Sequence, residues 1–238
     1  MKSSVNARLP RFTEEESKEL QGSLDFVGLN YYTAYYVQNA SEELDPSLRW
    51  YESDRQATVG HVGPDGKLIG EAMVCMCVWD GVRECTGFFK FLNRRKKCHS
   101  IHLQGPPQIG WIFNCPWGLP KLLSWMENRY GKEEFQAHPI IITENGCMDR
   151  ELNVSKRKAL NDTRRINYLS GSLEHLANAI RNYGYNVQGF FAWSLIDNFE
   201  WESGLVCRFG LHYVDYDNKL KRYPKASAKW FKAFLAGK

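Results

Sequence analysis

A carboxylate that directly follows a run of apolar, β-branched residues is the first candidate for chemistry. In the stretch HPIIITENGC, residues 138–147, Glu144 follows segment 140–143 and precedes an Asn-Gly pair. The four β-branched residues of segment 140–143 predict a buried strand. A glutamate at the end of a barrel strand can attack the anomeric carbon of a sugar. Because Asn-Gly pairs also favour turns, the pattern supports a catalytic group and a solvated turn residue equally.

A second group of carboxylates and indoles follows another apolar stretch. The sequence FAWSLIDNFEWESG, residues 191–204, contains Trp193, Asp197, Glu200 and Trp201 in and after a strand predicted over 187–196. Sugar rings stack on indoles, and their hydroxyl groups donate hydrogen bonds to carboxylates. An aromatic core ending in an Asp-Asn turn is the alternative interpretation.

A third candidate lies in GLNYYT, residues 28–33. Asn30 and Tyr32 are two residues apart, so in an extended chain their side chains face the same side. A tyrosine hydroxyl is suited to hold a carboxylate ionised and oriented. Tyrosines near strands are more often packing residues, so this signal is weak by itself.

The surrounding periodicity predicts the elements that position these residues. A buried strand within 24–37 is followed by a helix over 117–130, the strand at 140–143 and a helix over 161–184 that ends at Gly184. The strand over 187–196, a hairpin over 209–223 that turns at Asp217-Asn218, and a helix at about 225–236 complete the order. Alternating buried strands and helices predict an α/β protein with a parallel sheet or barrel. Only three β/α units are visible, against the eight of a closed barrel.

Two helices are predicted to bury one apolar face each. The predicted faces are Leu119, Leu122, Leu123, Met126 and Tyr130 in the first helix, and Ile166, Leu169, Leu173, Leu176 and Ile180 in the second.

Composition excludes several classes of protein. The 238 residues are 43% hydrophobic and 24% charged, which is typical of globular domains. The net charge of +4 comes with no nucleic-acid-binding motif, so we expect no nucleic-acid partner. No run of about eighteen apolar residues occurs, so we expect no membrane span. Seven cysteines, an odd number, exclude a fully paired disulfide framework.

Segment 73–108 fits neither a helical nor a strand period. Its thiols and imidazoles (Cys75, Cys77, Cys85, Cys98, His99 and His102) raise the possibility of a zinc site. Structural zinc sites usually present two ligand pairs at spacings of about two to four residues, which this segment lacks. We therefore expect no metal and interpret 73–108 as an unstructured insertion.

Taken together, the motifs resemble the C-terminal half of family 1 glycoside hydrolases, the β-glucosidase family, most closely its plant branch. The resemblance rests on RLPRFTEEES, GSLDFVGLNYYT, CPWGLPKLLSWMENRYG, PIIITENG, ALNDTRRINYL, GFFAWSLIDNFEWESG and RFGLHYVDYDNKLKRYPKASAKWF. The combination of ITENG with WSLIDNFEW is far more specific than either short motif alone. About 1–72 and 109–238 match, with about 73–108 as a non-homologous insertion in one partial barrel domain spanning 1–238.

The resemblance implies the C-terminal portion of a (β/α)8 barrel, incomplete, and a retaining two-step mechanism without a cofactor or metal. Glu144 matches the nucleophile, Tyr32 the tyrosine that contacts it, and Asn30 the asparagine near the sugar's second hydroxyl group. The residues matching the sugar-binding set are Trp193, Glu200 and Trp201 for the glycone and Trp111, in WIFNCPWG, for the aglycone. The implied ligand is a small-molecule β-glucoside.

The sequence departs from the family in one respect that concerns catalysis. The family's acid/base glutamate lies in an N-E-P motif, and no N-E-P occurs here. Retaining hydrolysis needs two carboxyl groups about 5–5.5 Å apart. We therefore expect this chain to lack the acid/base half and not to hydrolyse glucosides alone. Three alternatives stay open: a non-catalytic sugar-binding relative, one that pairs with a full-length relative, and a faulty gene model.

Overall fold

The computed structural model describes residues 10–39, 57–73, 111–150 and 154–237. Apart from Met73, the predicted insertion 73–108 lies outside the described residues, so that interpretation stays a prediction. The described helices are α1 (Glu14–Leu20), α2 (Gly118–Tyr130), α3 (Lys132–Ala137), α4 (Lys156–Leu160), α5 (Thr163–Tyr183) and α6 (Ala226–Leu235). The described strands are β1 (Val27–Asn30), β2 (Tyr36–Asn39), β3 (Ala57–Gly60), β4 (Glu71–Ala72), β5 (Phe113–Asn114), β6 (Ile140–Asn145), β7 (Asp149–Arg150), β8 (Val187–Ala192), β9 (Cys207–Arg208), β10 (His212–Asp215) and β11 (Lys221–Pro224). No described helix combines the length and the apolar character that crossing a membrane requires.

A parallel sheet in the order β1-β6-β8 positions the candidate residues. Ile140 and Ile142 of β6 are 1% and 0% exposed, and they pack in one core with Leu119 and Leu123 of α2 and Leu176 of α5. One face of the sheet is therefore covered by helices, and all three strands end at the same edge. The α/β class with parallel strands is confirmed.

The opposite face of the sheet is open within the described residues. Phe26, just before β1, is 47% exposed, and Phe191 of β8 is 60% exposed. The prediction of a buried strand that runs into a loop over 24–37 is right about the strand, β1, but wrong about its burial, since Gly28 and Asn30 are exposed and Leu24 before it is 55% exposed. The physical reason is that β1 and β8 are the outer strands of the described sheet, with β6 between them.

Helix α5 ends at Gly184 as predicted, in the left-handed conformation with φ 70°. Its buried face is rotated from the predicted one, because polar residues occupy part of it. The buried residues are Arg165, Tyr168, Leu169, Ser172, Leu176 and Ala179. The predicted residues Ile166, Leu173 and Ile180 are only half-buried.

The first turn of α5 is joined to the last helix through Asp162. The Asp162 carboxylate accepts hydrogen bonds from Arg165 Nε at 2.8 Å, from the Ser227 amide at 2.8 Å and from the Ser227 hydroxyl at 2.5 Å. Asp162, Arg165 and Ser227 are all buried. Because α6 begins at Ala226, this carboxylate connects the starts of two helices that are far apart in sequence.

The remaining expected elements are present, but the strand predicted over 187–196 ends at Ala192, where β8 ends. Helix α2 buries Leu119 and Leu123 as predicted, but Tyr130 is 58% exposed. Tyr130 is the last residue of α2, and its ring lies edge-on to Trp125, which is itself exposed, so this end of the helix projects from the core. The predicted hairpin is formed by β10 and β11, and the predicted turn residues Asp217-Asn218 lie in its loop.

Candidate active site

The ends of β1 and β6 bring Tyr32 and Glu144 together. The Tyr32 hydroxyl donates to Glu144 Oε2 at 2.5 Å. The pairing of the two strands shifts at this point, because Leu29 lies opposite Ile142 whereas Asn30 lies opposite Glu144. Such a bulge re-aims a side chain. Here it lets Thr143 and Glu144, although consecutive, both contact side chains of β1 and the residues that follow it.

The Tyr32 hydroxyl is influenced by two carboxylates, Glu144 and Glu200. Burial raises the pKa of Tyr32 most, and the hydrogen bond to Glu144 and the charges of Glu144 and Glu200 raise it further. The phenol therefore keeps its proton and remains a donor at physiological pH. Because Glu200 contributes to this shift, Glu144 and Glu200 both lie within electrostatic range of one hydroxyl.

Trp193 connects the end of β8 to Glu200. Its indole Nε1 donates to Glu200 Oε1 at 3.0 Å, and its backbone amide donates to the Asn145 carbonyl at 2.9 Å. The first bond orients the carboxylate, whose second oxygen stays available to accept from another donor. The predicted pair Trp193 and Glu200 is thus held beside the residue that follows Glu144.

Asn30 joins the site through a residue that sequence reasoning missed. The Thr143 hydroxyl donates to Asn30 Oδ1 at 2.6 Å, which leaves the Asn30 amide hydrogens for other acceptors. Asn30 is exposed, so these hydrogens are accessible. The sequence did contain a signal for this role, because Thr143 is the polar residue at the end of the otherwise apolar segment 140–143.

The two remaining tryptophans lie at the margin of the site. The Trp111 ring meets Tyr32 edge-on at 5.4 Å, and the Trp111 carbonyl accepts from the Tyr35 hydroxyl at 3.2 Å. Trp111 is 48% exposed and therefore offers a free ring surface next to the Tyr32–Glu144 pair. Trp201 is in the loop that carries Glu200, but its indole is 86% exposed and projects into solvent.

Asn145 and Gly146 do not form a solvent-exposed turn. Asn145 is 0% exposed and Gly146 is buried. A Cβ atom at Gly146 would lie 2.0 Å from the Trp193 carbonyl oxygen, so the close approach of β6 and β8 requires glycine here. The turn interpretation of this motif is therefore wrong.

Asp197, predicted together with the sugar-binding group, has a different environment. It is 2% exposed and accepts from Arg208 at 2.7 Å, from Lys225 at 3.0 Å and from the backbone amide of Gly210 at 3.0 Å. These three donors and a fourth, the Val214 amide at 3.2 Å, belong to the C-terminal part of the chain. Asp197 is thus a buried ion-pair residue that anchors the loop after β8, and its carboxylate is occupied.

The residues that the structure describes contain no group of three or more histidine, cysteine, aspartate or glutamate side chains placed to hold a metal. The cysteines and histidines considered for zinc, from Cys75 to His102, lie outside those residues. In the described part of the chain, Cys115, Cys147 and Cys207 are free and buried.

Comparisons with known proteins give the family. The family model described as Glycosyl hydrolase family 1 matches residues 1–238. The chain belongs to glycosyl hydrolase family 1. Beta-glucosidase 44 of Arabidopsis thaliana is 40% identical over 235 residues, which is 99% of this chain and 38% of that protein. Beta-glucosidase 6 of Oryza sativa subsp. japonica is 37% identical over 99% of this chain and 38% of its own length.

Solved structures of the same family share the fold. A rice β-glucosidase mutant in a covalent complex with glucose is 35% identical, with a TM-score of 0.74 over 98% of this chain and 41% of its own. A β-glucosidase from the fungus Humicola insolens in complex with glucose is 31% identical, also with a TM-score of 0.74. The chain is therefore β-glucosidase-like, corresponds to a partial barrel, and spans about 40% of the length of these relatives.

Proposed function

We propose that this chain carries the nucleophile and most of the glycone contacts of a retaining β-glucosidase site. Glu144 is the nucleophile, Tyr32 its hydrogen-bonding partner, and Asn30, Trp193, Glu200 and Trp201 contact the sugar while Trp111 lines the aglycone side. The observation that carries the proposal is the 2.5 Å hydrogen bond from Tyr32 to Glu144.

The proposed first step is a displacement at the anomeric carbon. A Glu144 carboxylate oxygen forms a bond to that carbon while the bond to the leaving-group oxygen breaks, and the electron pair departs with the leaving group. Water then adds to the anomeric carbon as its bond to Glu144 breaks, which releases glucose, the free carboxylate and one proton to the solvent. For an ordinary glucoside the departing oxygen also needs a proton from a second carboxyl group, which the family resemblance assigns to an N-E-P motif that this sequence does not contain.

The arrangement around Glu144 supports this role. The Tyr32 phenol points a donor at one carboxylate oxygen, which orients the other oxygen for attack. Glu200, held by the Trp193 indole, can accept hydroxyl donors from a sugar, and Asn30 can donate to one. Donors, acceptors and indole faces at one sheet edge are what a sugar ring requires.

The test uses a probe whose leaving group departs without a proton. A dinitrophenyl β-glucoside that carries fluorine in place of its second hydroxyl group slows the second step and traps the glycosyl ester. We expect stoichiometric labelling of the chain, with the modified peptide containing Glu144, as located by tandem mass spectrometry.

Two variants make the labelling experiment specific. Glu144→Gln should abolish the label, whereas Glu174→Gln, at an exposed position on α5, should label like the wild type. A folded wild-type chain that stays unlabelled, or a label on another carboxylate, would overturn the proposal.

A second candidate is a non-catalytic role in pairing with a full-length relative. It is favoured by the open sheet face, where Phe26 and Phe191 are exposed, because large exposed apolar patches mark interaction sites. If pairing is the function, the chain should co-elute with a full-length family member in size-exclusion chromatography, and Phe191→Lys should abolish co-elution. Separate elution at micromolar concentrations of both chains would exclude it.

A further inference from the structure

Tyr168 on α5 contacts the backbone of the residue that carries the Tyr32 phenol. Its hydroxyl donates to the Tyr32 carbonyl at 2.6 Å. Tyr168 is only 1% exposed, and burial raises its pKa, so the hydroxyl keeps the proton that it donates. Tyr168 lies outside the apolar face predicted for α5, which is why sequence periodicity did not single it out.

Asn145 completes the connection from the other side. Its amide nitrogen donates to the Tyr31 carbonyl at 2.7 Å and lies 3.4 Å from the Tyr168 hydroxyl, which accepts from it. The Tyr31 amide in turn donates to the Glu144 carbonyl at 2.9 Å. Two consecutive carbonyls after β1 are thus held by side chains from β6 and α5.

These contacts fix the distance that the Tyr32 phenol has to span. The Tyr31 amide makes the last backbone hydrogen bond from this part of the chain to β6, so the sheet alone no longer determines the position of Tyr32. The phenol reaches Glu144 only if the Tyr32 backbone stays at a set distance from the end of β6. Tyr168 holds that backbone from the buried face of α5, and buried hydrogen bonds restrict alternative backbone positions more than exposed ones do.

We propose that Tyr168 is a positioning residue that sets the hydrogen bond between Tyr32 and Glu144 through the Tyr32 carbonyl. The effect of Tyr168 on catalysis rests on the proposed function, whereas its effect on the hydrogen bond between Tyr32 and Glu144 does not. The residue touches no substrate and acts only through Tyr32. Asn145 supports it by holding the neighbouring carbonyl.

The first test needs no turnover. Tyrosine labelled with carbon-13 at the ring carbon bearing the hydroxyl gives one NMR signal per residue, and the Tyr32 signal is identified by its loss in Tyr32→Phe. Glu144→Gln should move that signal and so establish that it reports the hydrogen bond. We expect Tyr168→Phe to move the Tyr32 signal too. The matched control is Tyr185→Phe, since Tyr185 is also buried but packs against Phe135 and Tyr183; it should leave the signal in place.

The second test is a double-mutant cycle on labelling by the fluorinated glucoside. Loss of one positioning hydrogen bond should slow labelling by about three- to tenfold in Tyr168→Phe. In the Tyr32→Phe background, Tyr168→Phe should have no further effect, because no phenol remains to position. A merely structural role would slow labelling equally in both backgrounds.

Each outcome decides the proposal. An unmoved Tyr32 signal in folded Tyr168→Phe, or equal slowing in both backgrounds, overturns it. If the wild type does not label, the proposed function fails, and the NMR result alone then decides whether Tyr168 sets the hydrogen bond. If Tyr168→Phe does not fold, replacement of Tyr168 by p-aminophenylalanine keeps a donor. That variant should preserve the Tyr32 signal, and a displaced signal in the folded variant counts against the proposal.

Discussion

The Tyr32 hydroxyl and the Glu144 carboxylate lie 2.5 Å apart although 112 positions separate them in the chain. Parallel strands explain how this is possible, since β1 and β6 are neighbours and end at the same edge. The bulge at Thr143 and Glu144 explains why the contact forms at this residue. Backbone pairing thus brings the two residues close, and a local irregularity aims the carboxylate.

Removal of the Tyr32 hydroxyl should slow formation of the glycosyl ester. A hydrogen bond to a charged group contributes about 1.5–3 kcal/mol, so Tyr32→Phe is expected to lower the labelling rate about 10- to 100-fold. The measurement is the rate of mass increase with the fluorinated glucoside. Tyr130→Phe, at an exposed position on α2, should label at the wild-type rate, and equal rates for the two variants would contradict the role of Tyr32.

A side chain at Gly146 should destabilise the fold. Its Cβ would lie 2.0 Å from the Trp193 carbonyl oxygen, so Gly146→Ala has to push β6 and β8 apart. Overpacking of this kind costs about 1–3 kcal/mol, which urea unfolding followed by tryptophan fluorescence can measure. Gly171→Ala is the control, because its Cβ would meet Pro116 at 3.6 Å, an ordinary contact. Equal unfolding midpoints for the two variants would contradict the prediction.

Neutralising Asp197 should cost more stability than neutralising an exposed aspartate. Asp197→Asn leaves the buried Arg208 and Lys225 without their shared carboxylate, and breaking a buried ion pair costs about 3–5 kcal/mol. Asp217→Asn, at an exposed position in the loop between β10 and β11, should change the free energy of unfolding by less than about 0.5 kcal/mol. A loss below 1 kcal/mol in Asp197→Asn would show that the two cations find other partners.

The Cys147 thiol should make stability fall in alkaline solution. Burial raises its pKa from the ordinary 9.0 to about 12, an effect that Arg165 opposes and Asp149 reinforces. Between these values the unfolded chain loses the proton and the folded chain keeps it. The free energy of unfolding therefore decreases by about 1.4 kcal/mol per pH unit above pH 9, and this contribution is fully present below pH 9.

The measurement for Cys147 is a difference between two pH profiles. Cys147→Ser keeps the volume but does not titrate in this range, so its free energy of unfolding should fall less steeply than that of the wild type. Buried tyrosines other than Tyr168, whose pKa the Cys147 charge also raises, contribute equally to both profiles and cancel. Parallel profiles between pH 9 and 11 would mean that the thiol ionises in the folded chain as well.

Sequence periodicity was sufficient to predict the strand that carries Glu144 and the end of α5 at Gly184, because both depend on local patterns of apolar residues and glycine. It could not separate a catalytic Glu144 from a turn residue. Whether the residues after Glu144 form an exposed turn depends on the burial of Asn145 and Gly146, which is produced by a strand about 45 residues further along the chain.

The roles of buried polar residues were the least predictable. The neighbours of Asp197 in the sequence are the residue types expected around a sugar-binding carboxylate. Only its contacts with Arg208 and Lys225 show that it belongs to an ion pair. Arg165 and Tyr168 occupy a helix face that hydrophobic spacing assigns to other positions. Charged and hydroxyl groups become buried when distant partners satisfy them, and local spacing does not contain that information.

The contacts of Asp162 with Ser227 have a consequence for synthesis on the ribosome. Residues leave the exit tunnel in sequence order, so α5 emerges before the two Ser227 groups that donate to the Asp162 carboxylate at its start. Until α6 follows, Asp162 holds Arg165 without those donors, and the start of α5 lacks part of its final hydrogen bonding. We expect ribosome-bound chains stalled before Ser227 to be cleaved readily near Asp162, with protection appearing only after α6 has emerged; early protection would show that the helix start is stable without it.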